Sequence, residues 1–210
     1  MPQQLIWPSV MAKTASELQT DLKHLTGLAK FIHLDLVDGK FAPNKTLQFP
    51  LKLTSGFSYN IHLMMKHPEQ WIKSNKAKID LYIPQFEEIK QPEKYILEMK
   101  KARKKVAFAL KPETRIAVLK PFLKQIDFIL ILTVKPGFYG SPYQSQCLKK
   151  IGQIKKINKN IKIIIDGGMN PSTISKAKKA GADFFVSGSY TTKAEHPEES
   201  IKNLIKEIAL

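Results

Sequence analysis

Short apolar segments that suit β-strands alternate along this chain with segments whose apolar residues recur at helical spacing, about eight times over. That alternation restricts the fold more than any other feature. Strands separated by helices pair in parallel, because a crossover helix returns the chain to the same end of the sheet. The strand-like segments are 5–10, 31–38, 59–65, 79–86, 106–110, 128–134, 161–165 and 184–187. Helical spacing is expected over 16–25, from 68 onward, and over 92–103, 116–126 (where Pro121 implies a break or a late start), 143–159, 171–180 and 197–210, with a short helix at 49–53. Eight such units in 210 residues predict an α/β fold, a closed (β/α)8 barrel forming one domain over 1–210. An open doubly wound sheet is the alternative.

Composition narrows the setting. No apolar run reaches the length of a membrane span, and Met1 to Trp7 has neither a basic start nor a signal-type apolar core. The single cysteine, Cys147, excludes an intramolecular disulfide and reads as a packing residue. A soluble cytoplasmic protein is expected. The formal net charge is +16, and only Arg103 and Arg115 are arginines. The lysines are scattered, as in Lys149-Lys150 and Lys155-Lys156, and are not interleaved with the aromatics that base stacking needs. They read as a solvated surface that draws in anionic phosphate, not as a nucleic-acid groove.

The chemistry-bearing residues fall at strand ends. In 31–39, Phe-Ile-His-Leu-Asp-Leu-Val-Asp-Gly, the period of two puts His33 and Asp35 on one face. In a barrel the active site lies at the C-terminal ends of the strands. Ser9, His62, Met64, Thr133, Asp166, Ser187 and Ser189 occupy such places. Two imidazoles and two carboxylates converging there match a divalent ion such as zinc, iron or manganese. Glycines follow the last three strands, in 136–140 (Pro-Gly-Phe-Tyr-Gly), 166–168 (Asp-Gly-Gly) and 187–189 (Ser-Gly-Ser). Backbone N–H groups in such loops approach an anion closely, and barrels often hold phosphate after strands seven and eight.

Taken together, these segments resemble the ribulose-phosphate 3-epimerases. The matching pieces are Pro8-Ser9, 33–44 (His-Leu-Asp-Leu-Val-Asp-Gly-Lys-Phe-Ala-Pro-Asn), His62-Leu-Met64, 133–138 (Thr-Val-Lys-Pro-Gly-Phe), 166–170 (Asp-Gly-Gly-Met-Asn) and Ser187-Gly-Ser189. They occur in family order across nearly the whole chain. The resemblance implies a (β/α)8 barrel with one divalent metal (zinc, iron, manganese or cobalt) that interconverts D-ribulose 5-phosphate and D-xylulose 5-phosphate, commonly as a homo-oligomer. It makes His33, Asp35, His62 and Asp166 the metal ligands, and Asp35 and Asp166 the acid/base pair. Ser9, His62 and Met64 would contact substrate. Gly137, Phe138, Tyr139, Gly140, Gly167, Gly168, Gly188 and Ser189 would hold the phosphate. The proton at C3 lies α to the C2 carbonyl, so its removal gives an enediolate whose charge the metal stabilises. Inversion needs one carboxylate on each side of the substrate plane. From ribulose to xylulose, Asp35 is assigned as base and Asp166 as acid, with the roles exchanged in reverse.

The chain departs from the family pattern at four places. Val37 stands where Met is usual. The glycine loop reads Gly137-Phe-Tyr-Gly-Ser141 instead of Gly-Phe-Gly-Gly-Gln. Ala12-Lys-Thr-Ala15 replaces a Ser-Ala-Asp-Phe type of run, and Pro84-Gln85-Phe86 replaces a His-containing segment. Two other functions remain open from sequence: a 3-epimerase of a hexulose phosphate such as allulose 6-phosphate, or a non-catalytic basic barrel that binds nucleic acid or protein.

Overall fold

The computed structural model describes residues 2–75 and 79–209. Eight parallel strands line its centre: β1 (Ile6–Val10), β2 (Phe31–Asp38), β3 (Ser58–Met64), β4 (Leu81–Pro84), β5 (Ala107–Leu110), β6 (Phe128–Leu132), β7 (Lys162–Asp166) and β8 (Phe184–Ser187). Hydrogen bonding runs β4-β3-β2-β1-β8-β7-β6-β5, and the parallel bridge Gln85↔Ala109 joins the two edges. The expected barrel therefore forms, closed by its thinnest seam between β4 and β5. Among the described residues six α-helices surround it: α1 (Ala15–Leu25), α2 (Pro68–Asn75), α3 (Pro92–Lys101), α4 (Lys149–Ile157), α5 (Pro171–Lys179) and α6 (Pro197–Ala209). Leu210, the expected last residue of the final helix, lies outside the described residues. Among the described residues no helix is long and apolar enough to cross a membrane.

Capping sets several boundaries. Thr14 caps α1 by accepting the Glu17 N–H, and Asn170 opens α5 with a capping box and Pro171 at its first position. Three aspartates repeat one device where strands begin. Asp80 accepts the Tyr59 N–H, Asp127 that of Val106 and Asp183 that of Ile163, each at 2.9 Å. Each carboxylate precedes its own strand and grips the strand before it, which fixes the register at the N-terminal end of the barrel.

Alternation along the strands separates two apolar regions. Outward residues such as Ile32, Leu34, Leu36, Ile61, Leu63, Ile129, Ile131, Ile163 and Ile165 join the helices in the main core. Inward residues such as Ile83, Leu130, Ile164 and Val186 fill the barrel. At its N-terminal end Trp7 stacks on Phe184 at 4.7 Å between centroids and lies 6.0 Å from Phe31. The barrel is thus plugged from below, and its polar inward residues collect at the opposite end.

Three helical expectations are corrected. Residues 49–53 are not helical: Pro50 disfavours helix at Phe49, and a five-residue segment pays the nucleation cost without recovering it. The Leu47 N–H instead donates to the Ala12 oxygen at 2.8 Å, and Gln19 donates to the Lys52 oxygen at 2.7 Å. Over 116–126 only a 3₁₀ turn, Ile116–Leu119, forms, because Pro121 cannot continue a helix. The helix expected over 143–159 narrows to α4 behind a 3₁₀ turn at Ser145–Leu148. Its missing start follows from the Gln144 N–H, which donates to the Thr133 oxygen at 2.7 Å. Two features went unread: a two-residue antiparallel strand, Lys45–Thr46, on the end of β2, and a π-helical turn, Gly188–Thr192, after β8.

Candidate active site

The register places the polar set. His33 of β2 pairs with Ser9 of β1 and with Asn60 of β3, and Asp35 pairs with His62. Paired residues in a parallel sheet share a face, so all five point into the barrel. Asp166 ends β7 and enters from the other side. His33 Nε2, Asp35 Oδ1, His62 Nδ1 and an Asp166 oxygen all lie within 4.8 Å of one another. Nδ1 of His62 is 3.4 Å from Asp35 and 3.3 Å from Asp166, and Nε2 of His33 is 3.3 Å from Asp35.

These four residues could hold a metal ion, and the test lies in the atoms left without partners. His33 Nε2, Asp35 Oδ1 and His62 Nδ1 are buried and lack any hydrogen bond. All three aim at the same point. Orphaned buried polar atoms are costly, so three converging on one centre fit a shared cation. Two imidazole nitrogens with carboxylate oxygens suit a borderline or hard divalent ion.

The ring orientations come from two residues that sequence reasoning passed over. Asn60 Oδ1 accepts from Nδ1–H of His33, which leaves the lone pair on Nε2 facing inward. The Gln85 amide lies 2.7 Å from Nε2 of His62. It is the amide nitrogen that faces His62 and the amide oxygen that is left without a partner, so exchanging the two would give Nε2–H an acceptor and leave Nδ1 free for an ion. Asn60 was legible, since it sits two residues before His62 on the same face. Gln85 carries no period signal. Gln85→Leu is expected to weaken metal binding by about 10- to 100-fold, read by competition with a chromogenic chelator. Unchanged affinity would mean that packing alone holds the ring.

Burial and charge set the carboxylates apart. Burial pushes Asp35 up, but the adjacent imidazoles, His33 first and then His62, outweigh it and hold the carboxyl well below its usual range. Burial raises Asp166, the neighbouring Asp35 charge raises it further, and the imidazoles do not overcome this. Burial lowers His62, yet Asp166 and Asp35 reverse that and raise it to about 9.

Above the imidazoles lies a cavity lined by Ser9, Met64, Asp35 and Asp166, and by every glycine-loop residue singled out from sequence: Gly137, Phe138, Tyr139, Gly140, Gly167, Gly168, Gly188 and Ser189. His33 and His62 are fully buried beneath it. The Phe138 side chain is half exposed at the rim. Close approach explains two of the glycines. Gly167 has φ +108, and a β-carbon there would overlap Val134 Cγ2. At Gly188 a β-carbon would overlap Tyr139 Cε1. Thr133 is structural, since its hydroxyl donates to the Gly167 oxygen at 2.6 Å and so holds the turn after Asp166. Ser187 likewise donates to the Met169 oxygen at 3.0 Å. Cys147 is buried in the main core, as expected of a packing residue.

A profile described as the ribulose-phosphate 3 epimerase family matches residues 5–192. The chain belongs to the ribulose-phosphate 3-epimerase family. The ribulose-phosphate 3-epimerase of Schizosaccharomyces pombe is 29% identical, covering 97% of this chain and 93% of its own length. That of Mycobacterium leprae is 31% identical, covering 95% and 93%. Among solved structures, 3-hexulose-6-phosphate synthase from Salmonella typhimurium superposes with a TM-score of 0.66 at 12% identity, covering 98% of this chain and 99% of its own. Mycobacterium tuberculosis tryptophan synthase reaches 0.70 at 10% identity, covering 100% and 94%. At those identities the structural likeness speaks for the barrel alone. Family membership makes this an isomerase-type barrel acting on carbohydrates.

Proposed function

We propose that the protein interconverts D-ribulose 5-phosphate and D-xylulose 5-phosphate by proton transfer at C3. The observation that carries this reading is the pair Asp35 and Asp166. They enter the cavity from β2 and β7 over the same two imidazoles, and their environments push their pKa values in opposite directions. A carboxylate held ionised is suited to act as base, and one whose proton affinity is raised is the better carrier of the proton an acid delivers. Asp35 takes the C3 proton of ribulose 5-phosphate, and Asp166 delivers a proton to the other face. In reverse the roles exchange. Racemising chemistry of this kind needs both groups and no third proton carrier.

His33, Asp35, His62 and Asp166 would hold one divalent ion of the zinc, iron, manganese or cobalt type, which supplies positive charge beside the two reacting substrate oxygens. Ser9 and Met64 line the sugar end. The phosphate fits the backbone N–H groups of Gly137–Gly140, Gly167, Gly168, Gly188 and Ser189. Lys111 and Lys135 line a neighbouring hollow that shares Pro136 with the cavity, and Lys111 Nζ sits 4.3 Å from the centroid of the Phe41 ring. With a net charge of +16, they favour arrival of an anionic sugar. A cytoplasmic homo-oligomer is consistent with this activity.

The test is a coupled assay for xylulose 5-phosphate on protein stripped with a chelator and reloaded with zinc, iron, manganese or cobalt. Turnover restored by metal is expected. Stoichiometric metal binding without pentulose turnover would redirect the site to hexulose phosphates, and absence of both would overturn the reading.

A further inference from the structure

The side chain that stands out in the site is Tyr139, where a glycine would follow the family pattern. It starts on the loop after β6 and crosses the cavity to β1, where its hydroxyl donates to the Ser9 backbone oxygen at 2.9 Å. On the way its ring lies over Gly188, so close that a β-carbon there would overlap Cε1. The ring also packs on the small apolar group of Met11, Val37, Ala42 and Met64. The other departure at the site, Val37 in place of a longer side chain, thus lies in the patch that receives the ring. Burial, reinforced by the charge of Asp35, pushes the Tyr139 phenol well above its ordinary range, so it stays a hydrogen-bond donor at any working pH.

With the ring in place the cavity measures only about 50 Å3. Pockets for small molecules run to about 300–1,000 Å3. The ring thus takes up room that a ketose phosphate would need. The loop is built to let it go. Asn44 Nδ2 donates to the Gly137 oxygen at 2.5 Å, and Gly137 lies so close to Ala42 that a β-carbon would come within 2.9 Å of it. That end of the loop is anchored. Gly140, at φ +74, has no atom within 4 Å of where its β-carbon would be, so the far end has open space and glycine's freedom to turn.

We infer that Tyr139 is a displaceable plug: its ring spans the site from Gly188 of the phosphate loops to Ser9 and Met64, and a phosphate-bearing ketose displaces it by turning the loop between anchored Gly137 and free Gly140. This rests on the reading of the glycine loops as a phosphate cradle. The plug turns binding into a competition, in which apparent affinity equals intrinsic affinity multiplied by the fraction of open molecules. It is also a selectivity device. A ketose lacking phosphate has no anionic group to recruit the loop N–H groups, and so nothing to offset the loss of the ring's packing and its hydrogen bond to Ser9.

Inorganic phosphate is the probe, titrated by 31P NMR into the full-length wild type, Tyr139→Phe and Tyr139→Ala. Tyr139→Ala should bind phosphate about 10-fold or more tightly than wild type. Tyr139→Phe keeps the ring and its packing, loses one hydrogen bond, and should gain about 3-fold, within the range one ordinary hydrogen bond supplies. In turnover, KM for the phosphoketose should fall in the same order, as expected when a competing closed state is removed. Equal or weaker phosphate binding by both variants overturns the plug and makes Tyr139 a wall or a ligand contact. If none of the three proteins binds phosphate, the cradle reading falls and the plug falls with it.

Discussion

Asp35→Asn and Asp166→Asn are each expected to lower kcat by about 10³-fold or more, because on the proposed mechanism each would remove a proton carrier and weaken the hold on a metal ion. The two losses can be told apart by isotope exchange. Asp35 faces one side of the cavity from β2 and Asp166 the other from β7. In deuterated water Asp166→Asn should still exchange the C3 proton of ribulose 5-phosphate slowly, through Asp35, without forming xylulose 5-phosphate. Asp35→Asn should show the mirror pattern and exchange xylulose 5-phosphate. Metal content measured on both variants separates a lost ion from a lost proton carrier. Should either variant keep more than about a tenth of wild-type turnover with its metal in place, proton transfer by two carboxylates would be the wrong mechanism.

The site was legible in outline because its residues obey the simplest rule of the sheet. His33, Asp35, Asn60 and His62 alternate with Ile32, Leu34, Ile61 and Leu63, and that alternation alone assigns the first set to the interior. Convergence of Asp166 with them depended on closing eight units into a barrel, which periodicity supports and which the Gln85↔Ala109 bridge completes. What sequence did not reveal were contacts between loops distant in the chain. Tyr139 meets Ser9 across 130 residues, and Asn44 meets Gly137 across 93. No local pattern encodes such pairs. The failed helices share a cause: apolar spacing was read correctly, but Pro50, Pro121 and the anchored Gln144 blocked the hydrogen bonds a helix needs. The π-helical turn after β8 left no trace in composition, yet it shapes the backbone around Gly188 and Ser189.

Metal uptake should release protons and strengthen steeply with pH. In the metal-free protein the carboxylates of Asp166 and Asp35 hold His62 protonated up to about pH 9. A ligating nitrogen must be unprotonated, so below that pH the ion has to displace the proton. One displaced proton makes the apparent association constant rise tenfold per pH unit, so zinc affinity should increase about 100-fold between pH 7 and 9 and then level off. Calorimetry in buffers of different ionisation enthalpy counts the protons directly. The same shift makes a linked claim about stability, and the sign follows from the direction. His62 has its pKa raised in the folded state from 6.5 to about 9, so its contribution is fully present below about pH 6.5 and is lost as pH climbs through 9. The melting temperature of the metal-free protein should therefore fall between pH 7 and 9, while that of the zinc-loaded protein stays nearly level, because the tightening of binding offsets the lost contribution of the His62 proton. A falling slope without the ion and a level one with it would tie the buried imidazole, the two carboxylates and the ion into one site. A zinc affinity that stays flat from pH 7 to 9 would mean that His62 is already neutral, and that the carboxylates beside it are not both ionised before the metal arrives.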